Sequence, residues 1–209
     1  RASACDAFRM AVTEIKCNCG GKMSVTVPKQ SFFYLANAVE DKDLLEFGLN
    51  ANTLVFIKSD MLFSTRIISE PFMNIDRLLN MPDKMLVAKI KANDMKTMAE
   101  TVSMITNFSE DTAPVLLKFK NNNLQLSIES TEAESMLNVP IESVNMISGE
   151  FYYNAKYFSD MLKVIRGDVD VYMTKRGILY ASNPVSEYML TNSKKRSVKR
   201  KSKKTKKAA

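Results

Sequence analysis

The chain has 209 residues, of which 45% are hydrophobic, so it holds enough apolar material for one large domain or two ordinary ones. It contains 30 Lys or Arg residues, 23 Asp or Glu residues and no histidine. The lack of histidine removes the commonest general base and metal ligand, and there is no glycine-rich loop of the phosphate-binding kind. We therefore expect a protein that is not an enzyme and that needs neither a metal ion nor a cofactor.

The cysteines and the apolar segments indicate the cellular compartment in which the protein works. Cys5, Cys17 and Cys19 are odd in number and include only a Cys-x-Cys pair, which suits neither a disulfide framework nor the usual zinc spacing. No apolar run approaches the roughly 18 residues that a membrane span needs. Nothing resembles a secretory leader, although Arg1 is not an initiator methionine. We predict a cytoplasmic protein with free thiols and no membrane contact.

Positive charge is concentrated near the C-terminal end. Ten of the 30 basic residues and no acidic residue lie between Lys194 and Lys207, which leaves 20 basic against 23 acidic residues elsewhere. Residues 194–209 are too polar and repetitive to fold, so we predict a disordered basic tail on a mildly acidic body. Such a tail attracts phosphate in a salt-dependent way. A solubilising tail and a nuclear-import signal are the alternatives.

Three helices are predicted at a regular step along the chain. An apolar quartet with the spacing i, i+3, i+4, i+7 occurs three times, 63 residues apart, and this spacing is typical of the buried face of an amphipathic helix. The quartets are Phe32, Leu35, Ala36 and Val39; Met95, Met98, Ala99 and Val102; and Phe158, Met161, Leu162 and Ile165. Recurrence at a fixed step predicts a repeated supersecondary unit.

Strand-like segments surround each predicted helix in the same order. Short extended runs come before the helices, at 24–27, 86–91 and 150–153. After the middle helix, alternating residues from Leu117 to Lys120 and from Leu124 to Glu129 flank an Asn-rich turn, which predicts a hairpin with one wet face, and a third strand follows. Equivalent runs lie within 44–68 and 169–191. The sequence therefore predicts an α+β fold of repeated βαβββ half-domains.

The polar faces of the predicted helices carry basic residues. In the third helix, positions i, i+3, i+7 and i+10 opposite the quartet hold Lys156, Ser159, Lys163 and Arg166. The middle helix offers Lys96 and the first offers Lys29. Equivalent helices on a curved sheet could line one concave surface, so we predict that these five basic residues face DNA. The alternative is that they are simply solvated.

Several segments resemble one protein family. Residues 5–11, Cys-Asp-Ala-Phe-Arg-Met-Ala, are similar to the Thr-Asp-Gly-His-Arg-Leu-Ala segment of the bacterial-type DNA polymerase sliding clamp. Residues 63–68, followed by Pro71-Phe72 and Arg77-Leu78-Leu79, resemble the stretch that closes the second domain of the clamp. Residues 148–162 resemble the start of its last half-domain. Together these similarities span about residues 1–193.

The resemblance implies a DNA clamp fold, with antiparallel sheets outside and helices lining an inner face. It assigns residues 1–82 to the C-terminal part of clamp domain 2 and residues 83–193 to domain 3, and Pro82 breaks the periodicity near that boundary. It implies a nucleoid-associated processivity factor of DNA replication that encircles duplex DNA. Clamps of this family form a ring as a head-to-tail dimer, so self-association is expected. The alternative function is a DNA-binding accessory or transcription-coupling protein that uses the basic tail.

The resemblance also implies a pocket that binds peptides of DNA polymerases and clamp loaders. By position, its residues are Cys5, Asp6, Phe8, Arg9, Met10, Met189, Leu190, Thr191 and Asn192. The family's Gly and His appear here as Ala7 and Phe8, and its C-terminal Met-Pro-x-Arg appears as Thr-Asn-Ser-Lys at 191–194. The alternative is that these residues only pack between domains.

Overall fold

The computed structural model describes residues 1–18, 20–40, 42–108 and 113–195. The chain divides into two compact units: a small unit of residues 16–79, and a large unit of residues 1–15 together with the residues from 80 onward. The predicted domains 1–82 and 83–193 stay a prediction. Most of the predicted tail, from Arg196 onward, lies outside the described residues.

The described elements confirm the predicted α+β class, and helices occur at all three apolar quartets. In chain order the elements are β1 (Ala2–Cys5), β2 (Arg9–Thr13), α1 (Lys29–Ala38), β3 (Glu46–Asn50), β4 (Thr53–Lys58), β5 (Met61–Arg66), α2 (Asp76–Leu79), β6 (Met85–Ile90), α3 (Ala92–Phe108), β7 (Val115–Lys120), β8 (Asn123–Glu129), β9 (Glu134–Pro140), β10 (Glu142–Ser143), β11 (Phe151–Tyr153), α4 (Ala155–Val164), β12 (Val169–Met173), β13 (Leu179–Ser182) and β14 (Ser186–Leu190). The predicted strand at 24–27 is wrong, because only Thr26 forms a bridge, to Ile68.

The large unit contains two modules of the predicted βαβββ order. The middle module is β6, α3 and β7 to β9, and the last module is β11, α4 and β12 to β14. The sheets have the orders β1-β2-β14-β13-β12-β6-β10 and β11-β7-β8-β9. Strand β6 therefore pairs with β12 of the last module, and β11 pairs with β7 of the middle module. Each module gives its first strand to the sheet of the other.

Helices α3 and α4 pack against each other over these sheets. The hydroxyl oxygens of Ser103 and Ser159 lie 3.4 Å apart between the helices, and Ser159 is only 2% exposed. Small side chains at this point allow close packing. The quartets of α3 and α4 join the sheets in one hydrophobic core, with Ala99 partly buried, so both predicted buried faces are confirmed.

In the small unit, α1 is followed by three strands, without the predicted first strand, and this helix is mostly exposed. Its three-stranded sheet has the order β3-β4-β5. In the α1 quartet, Leu35 is 6% exposed, whereas Phe32 is 48% exposed and Ala36 is exposed. The prediction of a fully buried quartet is wrong here. The large unit shows the physical reason, because its helices are buried by a second module as well as by a sheet.

Methionines of α3 provide a direct test of this core. Met98 is 2% exposed and Met104 is 63% exposed on the same helix. We expect Met98→Ala to lower the free energy of unfolding by about 2–5 kcal/mol, since it leaves a cavity. Met104→Ala should change it by about 0.5 kcal/mol or less. Urea denaturation followed by circular dichroism measures both, and equal losses would contradict the assignment of these two faces.

A network of hydrogen bonds and ion pairs surrounds the Glu150 carboxylate, next to β11 at one edge of the four-stranded sheet. Glu150 lies 2.7 Å from Lys118 Nζ on β7 and 3.7 Å from Lys195 Nζ, and the Tyr152 hydroxyl donates to it over 2.5 Å. The hydrogen bonds from Lys118 and then from Tyr152 lower the pKa of Glu150 from 4.5 to about 2.

The depressed pKa of Glu150 makes its contribution to stability depend on pH. The charged form is bound more favourably in the folded state, so the contribution is complete above pH 4.5 and is lost as the pH falls through about 2. We expect the small Tm advantage of the wild type over Glu150→Gln to shrink across this window. Melting curves at low salt test this, and a difference that does not change with pH would contradict it.

Candidate functional site

The structure brings together the two ends of the predicted peptide pocket. Strand β2 pairs antiparallel with β14, so that Met10 lies opposite Met189 and Arg9 lies opposite Leu190. Just beyond these strands, the backbone amide of Thr191 donates to the carbonyl of Phe8 over 2.9 Å, and its hydroxyl donates to the same carbonyl over 3.1 Å. Two segments about 180 residues apart in sequence thus form one continuous surface.

Strand geometry divides the predicted pocket residues between two faces of the sheet. Cys5, Met10 and Met189 lie in one cross-strand row, which continues through Tyr180 to Tyr172. Met10, Met189 and Tyr180 are at most 6% exposed and lie outside the main core. Neighbouring residues of a strand point to opposite faces. Arg9 and Leu190 therefore lie on the helix side, where Leu190 joins the core.

A lysine extends across the tyrosines of this row. Lys84 Nζ lies 4.9 Å from the ring centroid of Tyr172 and 4.5 Å from that of Tyr180, and it pairs with Glu187. Burial, followed by the nearby carboxylates of Glu187 and Asp83, raises the pKa of Tyr180 to about 12. Tyr172, Tyr180 and Lys84 are not among the pocket residues that the sequence predicted. The alternation of β12 and β13 could have placed both tyrosines on one face.

On the helix side, Arg9 joins the β1–β2 turn to α4. Its guanidinium donates to Asp6 over 3.0 Å and to Asp160 of α4 over 2.7 Å, and it stacks 4.3 Å from the ring centroid of Tyr157. Phe8, which is 54% exposed, stacks on the same tyrosine with ring centroids 6.1 Å apart. These contacts hold the turn against the helix.

Asp6 is the hub of the turn itself. One carboxylate oxygen accepts the backbone amides of Phe8 and Arg9 over 2.8 and 2.9 Å. Partial burial disfavours the charged carboxylate, but these hydrogen bonds and the Arg9 guanidinium outweigh it and hold the pKa of Asp6 below its ordinary value. Asp6 and Arg9 therefore fix the conformation of the β1–β2 turn. Asn192, which follows Thr191, is exposed.

The predicted DNA-facing residues are exposed but differ in their surroundings. Lys156 and Lys163 are exposed on α4, and Lys29 is exposed at the start of α1 in the small unit. Lys96 is exposed on α3 and lies 3.9 Å from Glu100. The stripe predicted on the third helix is wrong at Ser159, which is buried against α3.

Arg166 lies beyond the end of α4, which finishes at Val164. Its guanidinium donates to the carbonyl oxygens of Lys163 and Ile165, the second over 3.1 Å. The last carbonyls of a helix have no partner within the helix, so Arg166 stabilises the end of α4. Its proposed role toward DNA is therefore combined with a capping role that the sequence did not indicate.

A groove of about 710 Å³ lies elsewhere in the large unit, near the start of α3. Its lining includes both acidic and basic side chains, and Asp168 pairs with Lys91 over 2.8 Å and accepts the amide of Ala92 over 3.0 Å. Asp168 thus caps α3.

In the part of the chain that the structure describes, no group of three or more His, Cys, Asp or Glu side chains could hold a metal ion. The described helices include none with the length and apolarity of a membrane span.

Comparisons with known proteins find matches for the fold of this chain but not for its sequence. The sequence matches no protein-family model and no curated protein. The structure does match DNA polymerase III subunit beta from Pseudomonas aeruginosa, with a TM-score of 0.76 and 20% identity over 92% of this chain and 54% of that one. It also matches the beta subunit of the Streptococcus pyogenes DNA polymerase, with a TM-score of 0.73 and 18% identity over 92% and 54% of the two chains.

The DNA polymerase sliding clamp from Caulobacter crescentus is similar too, with a TM-score of 0.73 and 15% identity over 92% of this chain and 52% of that one. The chain therefore has the fold of the bacterial sliding clamps, and the resemblance seen in the sequence is confirmed for the fold. The chain spans about half the length of these structures.

The ion pair between Arg9 and Asp160 can be measured against an exposed control. We expect a double-mutant cycle of Arg9→Gln and Asp160→Asn to give a coupling of about 0.5–1 kcal/mol, reduced by salt. The matched cycle of Lys96→Gln and Glu100→Gln should give less, because that pair is longer and more exposed. Urea denaturation supplies the four free energies of each cycle. Equal couplings would contradict a special role of Arg9 in holding the turn.

Proposed function

We propose that this chain is a sliding clamp subunit, which encircles duplex DNA and tethers a replicative DNA polymerase as a processivity factor. The observation that carries the proposal is the fold: two strand-exchanged βαβββ modules with paired helices, similar over about 92% of this chain to solved clamps. The role needs no catalytic group, so we propose a protein that is not an enzyme. A cytoplasmic, nucleoid-associated location stays a prediction.

We propose that Lys96, Lys156 and Lys163 contact DNA phosphates. All three are exposed on the paired helices α3 and α4. Lysines on flexible side chains attract phosphate without reading sequence, and the body of the chain carries slightly more acidic than basic residues. Such weak attraction suits a protein that slides, because strong specific contacts would stop it. Lys29 and Arg166 are proposed to add to the same interaction.

We propose that partner peptides of the polymerase and the clamp loader bind along the sheet face that carries Cys5, Met10 and Met189. The aligned apolar side chains of β2 and β14 support this, and so does the pair of tyrosines that continues their row. Thr191 and Asn192 are proposed to stand at the end of the same surface, where Thr191 donates to the carbonyl of Phe8. The ring of Phe8 stacks on Tyr157 on the helix side and is proposed to support the surface. Asp6, Arg9 and Leu190 are proposed to hold its shape.

Ring formation is proposed to use the edge of the four-stranded sheet that is opposite β11. Strand β9 is at that edge, and Met136 on β9 is 65% exposed. Met104 on α3, which contacts β9, is 63% exposed. A sheet edge with apolar neighbours is a typical site for another chain to add a strand. We therefore propose self-association at this edge.

A topological test separates a clamp from a DNA-binding accessory protein that acts through its basic tail. We expect the chain to remain on closed circular DNA during gel filtration and to be lost after the DNA is linearised. Removal of residues 194–209 should leave this difference intact. The accessory alternative, favoured by the ten basic residues of the tail, predicts equal binding to both DNA forms and its loss with the tail. That result would falsify the clamp proposal.

A peptide titration tests the proposed partner surface. We expect Met189→Asp to weaken a labelled peptide copied from the clamp-binding segment of a bacterial replicative polymerase by about tenfold or more, since it places a charge in an apolar row. Val185→Asp, at an exposed position of the same hairpin, is the matched control. Melting curves check folding, and Met189→Leu should retain binding. Unchanged affinity in Met189→Asp would show that these residues only pack.

A further inference from the structure

Helices α3 and α4 run in opposite directions along each other. Asp168, which follows α4, accepts the amide of Ala92 at the start of α3 over 3.0 Å. Further along α3, and earlier in α4, the hydroxyl oxygens of Ser103 and Ser159 lie 3.4 Å apart. The start of α3 therefore lies beside the end of α4.

This arrangement divides the basic residues of the helix pair between its two ends. Lys96 lies near the start of α3, and Lys163 and Arg166 lie at or just beyond the end of α4, so these three residues share one end. Lys156 lies near the start of α4, at the other end. All four side chains are exposed. Lys156 therefore provides a control on the same pair of helices.

Arg166 differs from the lysines because its guanidinium is held in place. Its Nη1 atom donates to the carbonyl oxygens of Lys163 and Ile165. A guanidinium has five N–H donors, so this arginine can cap the helix and still present donors to a phosphate. A lysine ammonium on its flexible stem must instead be ordered when it binds, which costs affinity. Arg166 is thus a pre-positioned cation at the end of the helix pair.

A side chain of the last hairpin holds the backbone of Arg166. The Nδ2 atom of Asn183 donates to the Arg166 carbonyl over 2.8 Å. Its Oδ1 atom accepts the amides of Val185 and Ser186 over 3.0 and 2.7 Å, which fixes the side chain in the β13–β14 turn. Gly167 has a φ of 77°, a conformation that glycine adopts readily, and it lets the chain turn at this point. Asn183 thus connects a turn between two strands to the residue that caps α4.

We propose that Asn183 is a positioning residue for DNA binding, which holds Arg166 where the remaining donors of its guanidinium meet a phosphate. This role rests on the proposed contact of α4 with DNA. Asn183 itself touches no phosphate in this arrangement, and it acts through the backbone of Arg166. The affinity for DNA therefore depends on a strand turn as well as on the helices.

Fluorescence anisotropy of a labelled DNA duplex, titrated with the full 209-residue chain at low salt, tests this role. We expect Arg166→Gln to weaken binding and to reduce the slope of log affinity against log salt by about 1, since one phosphate contact is lost. Asn183→Ser should raise the dissociation constant by about threefold, the worth of one hydrogen bond. A serine hydroxyl can still accept the turn amides, but it is too short to reach the Arg166 carbonyl.

Asn145→Ser is the matched control for Asn183→Ser. The Nδ2 atom of Asn145 also donates to a backbone carbonyl of the large unit, that of Leu86, over 2.7 Å. The two substitutions therefore remove the same kind of bond, and melting curves check that both variants fold. We expect Asn145→Ser to bind the duplex as the wild type does, so a weakening confined to Asn183→Ser reflects positioning.

Combined variants identify the residue through which Asn183 acts. In the Arg166→Gln background, Asn183→Ser should have no further effect, whereas in the Lys156→Gln background its effect of about threefold should remain. The proposal is overturned by an unchanged dissociation constant in Asn183→Ser or by an equal rise in Asn145→Ser. An undiminished effect in the Arg166→Gln background overturns it as well.

The positioning role and the proposed clamp function fail in different experiments. If Arg166→Gln binds the duplex as well as the wild type, Arg166 makes no phosphate contact and the role of Asn183 is overturned with it. The clamp function is judged by retention on circular DNA, which does not depend on a single side chain. Retention on circular DNA with no effect of Asn183→Ser overturns the positioning role alone.

Discussion

The pairing of one module's first strand with the sheet of the other holds the large unit together. Because β6 and β11 are exchanged, neither module of this unit can complete its sheet alone, and α3 is brought against α4 over a shared core. A single helix on a single sheet leaves its aromatic residues in water, as α1 shows. The same constraint explains why equivalent residues such as Phe32 and Phe158 differ so much in exposure.

The exchange of first strands also decides where the candidate surfaces lie. It gives α3 and α4 a common arrangement in which Lys96, Lys156 and Lys163 remain exposed while the quartets are buried. At the other end of the seven-stranded sheet, β14 accepts β2, so the first residues of the chain meet the last strand. Arg9 then links this added strand to α4 through Asp160 and Tyr157.

The candidate surfaces are built from ordinary side chains with modest electrostatics. The pKa of Tyr180 is raised by burial and by the nearby carboxylates of Glu187 and Asp83, and the pKa of Asp6 is held down by its hydrogen bonds and the Arg9 guanidinium against partial burial. Strand alternation separates Met10 and Met189 from Arg9 and Leu190, so a list of residues carried over by resemblance divides between the two faces of the sheet. The clamp fold at 20% identity or less shows how far such an arrangement tolerates change in sequence.

Local periodicity by itself determined the order of strand, helix and three strands in both modules of the large unit, and the buried quartets of α3 and α4. These features depend on residues close in sequence. Only the tertiary structure decided that first strands are exchanged, that Ser159 is buried, and that Arg166 caps α4. Those outcomes depend on which distant segment packs against each strand or helix. Alternation shows which face of a strand is apolar, but it does not show which strand pairs with it.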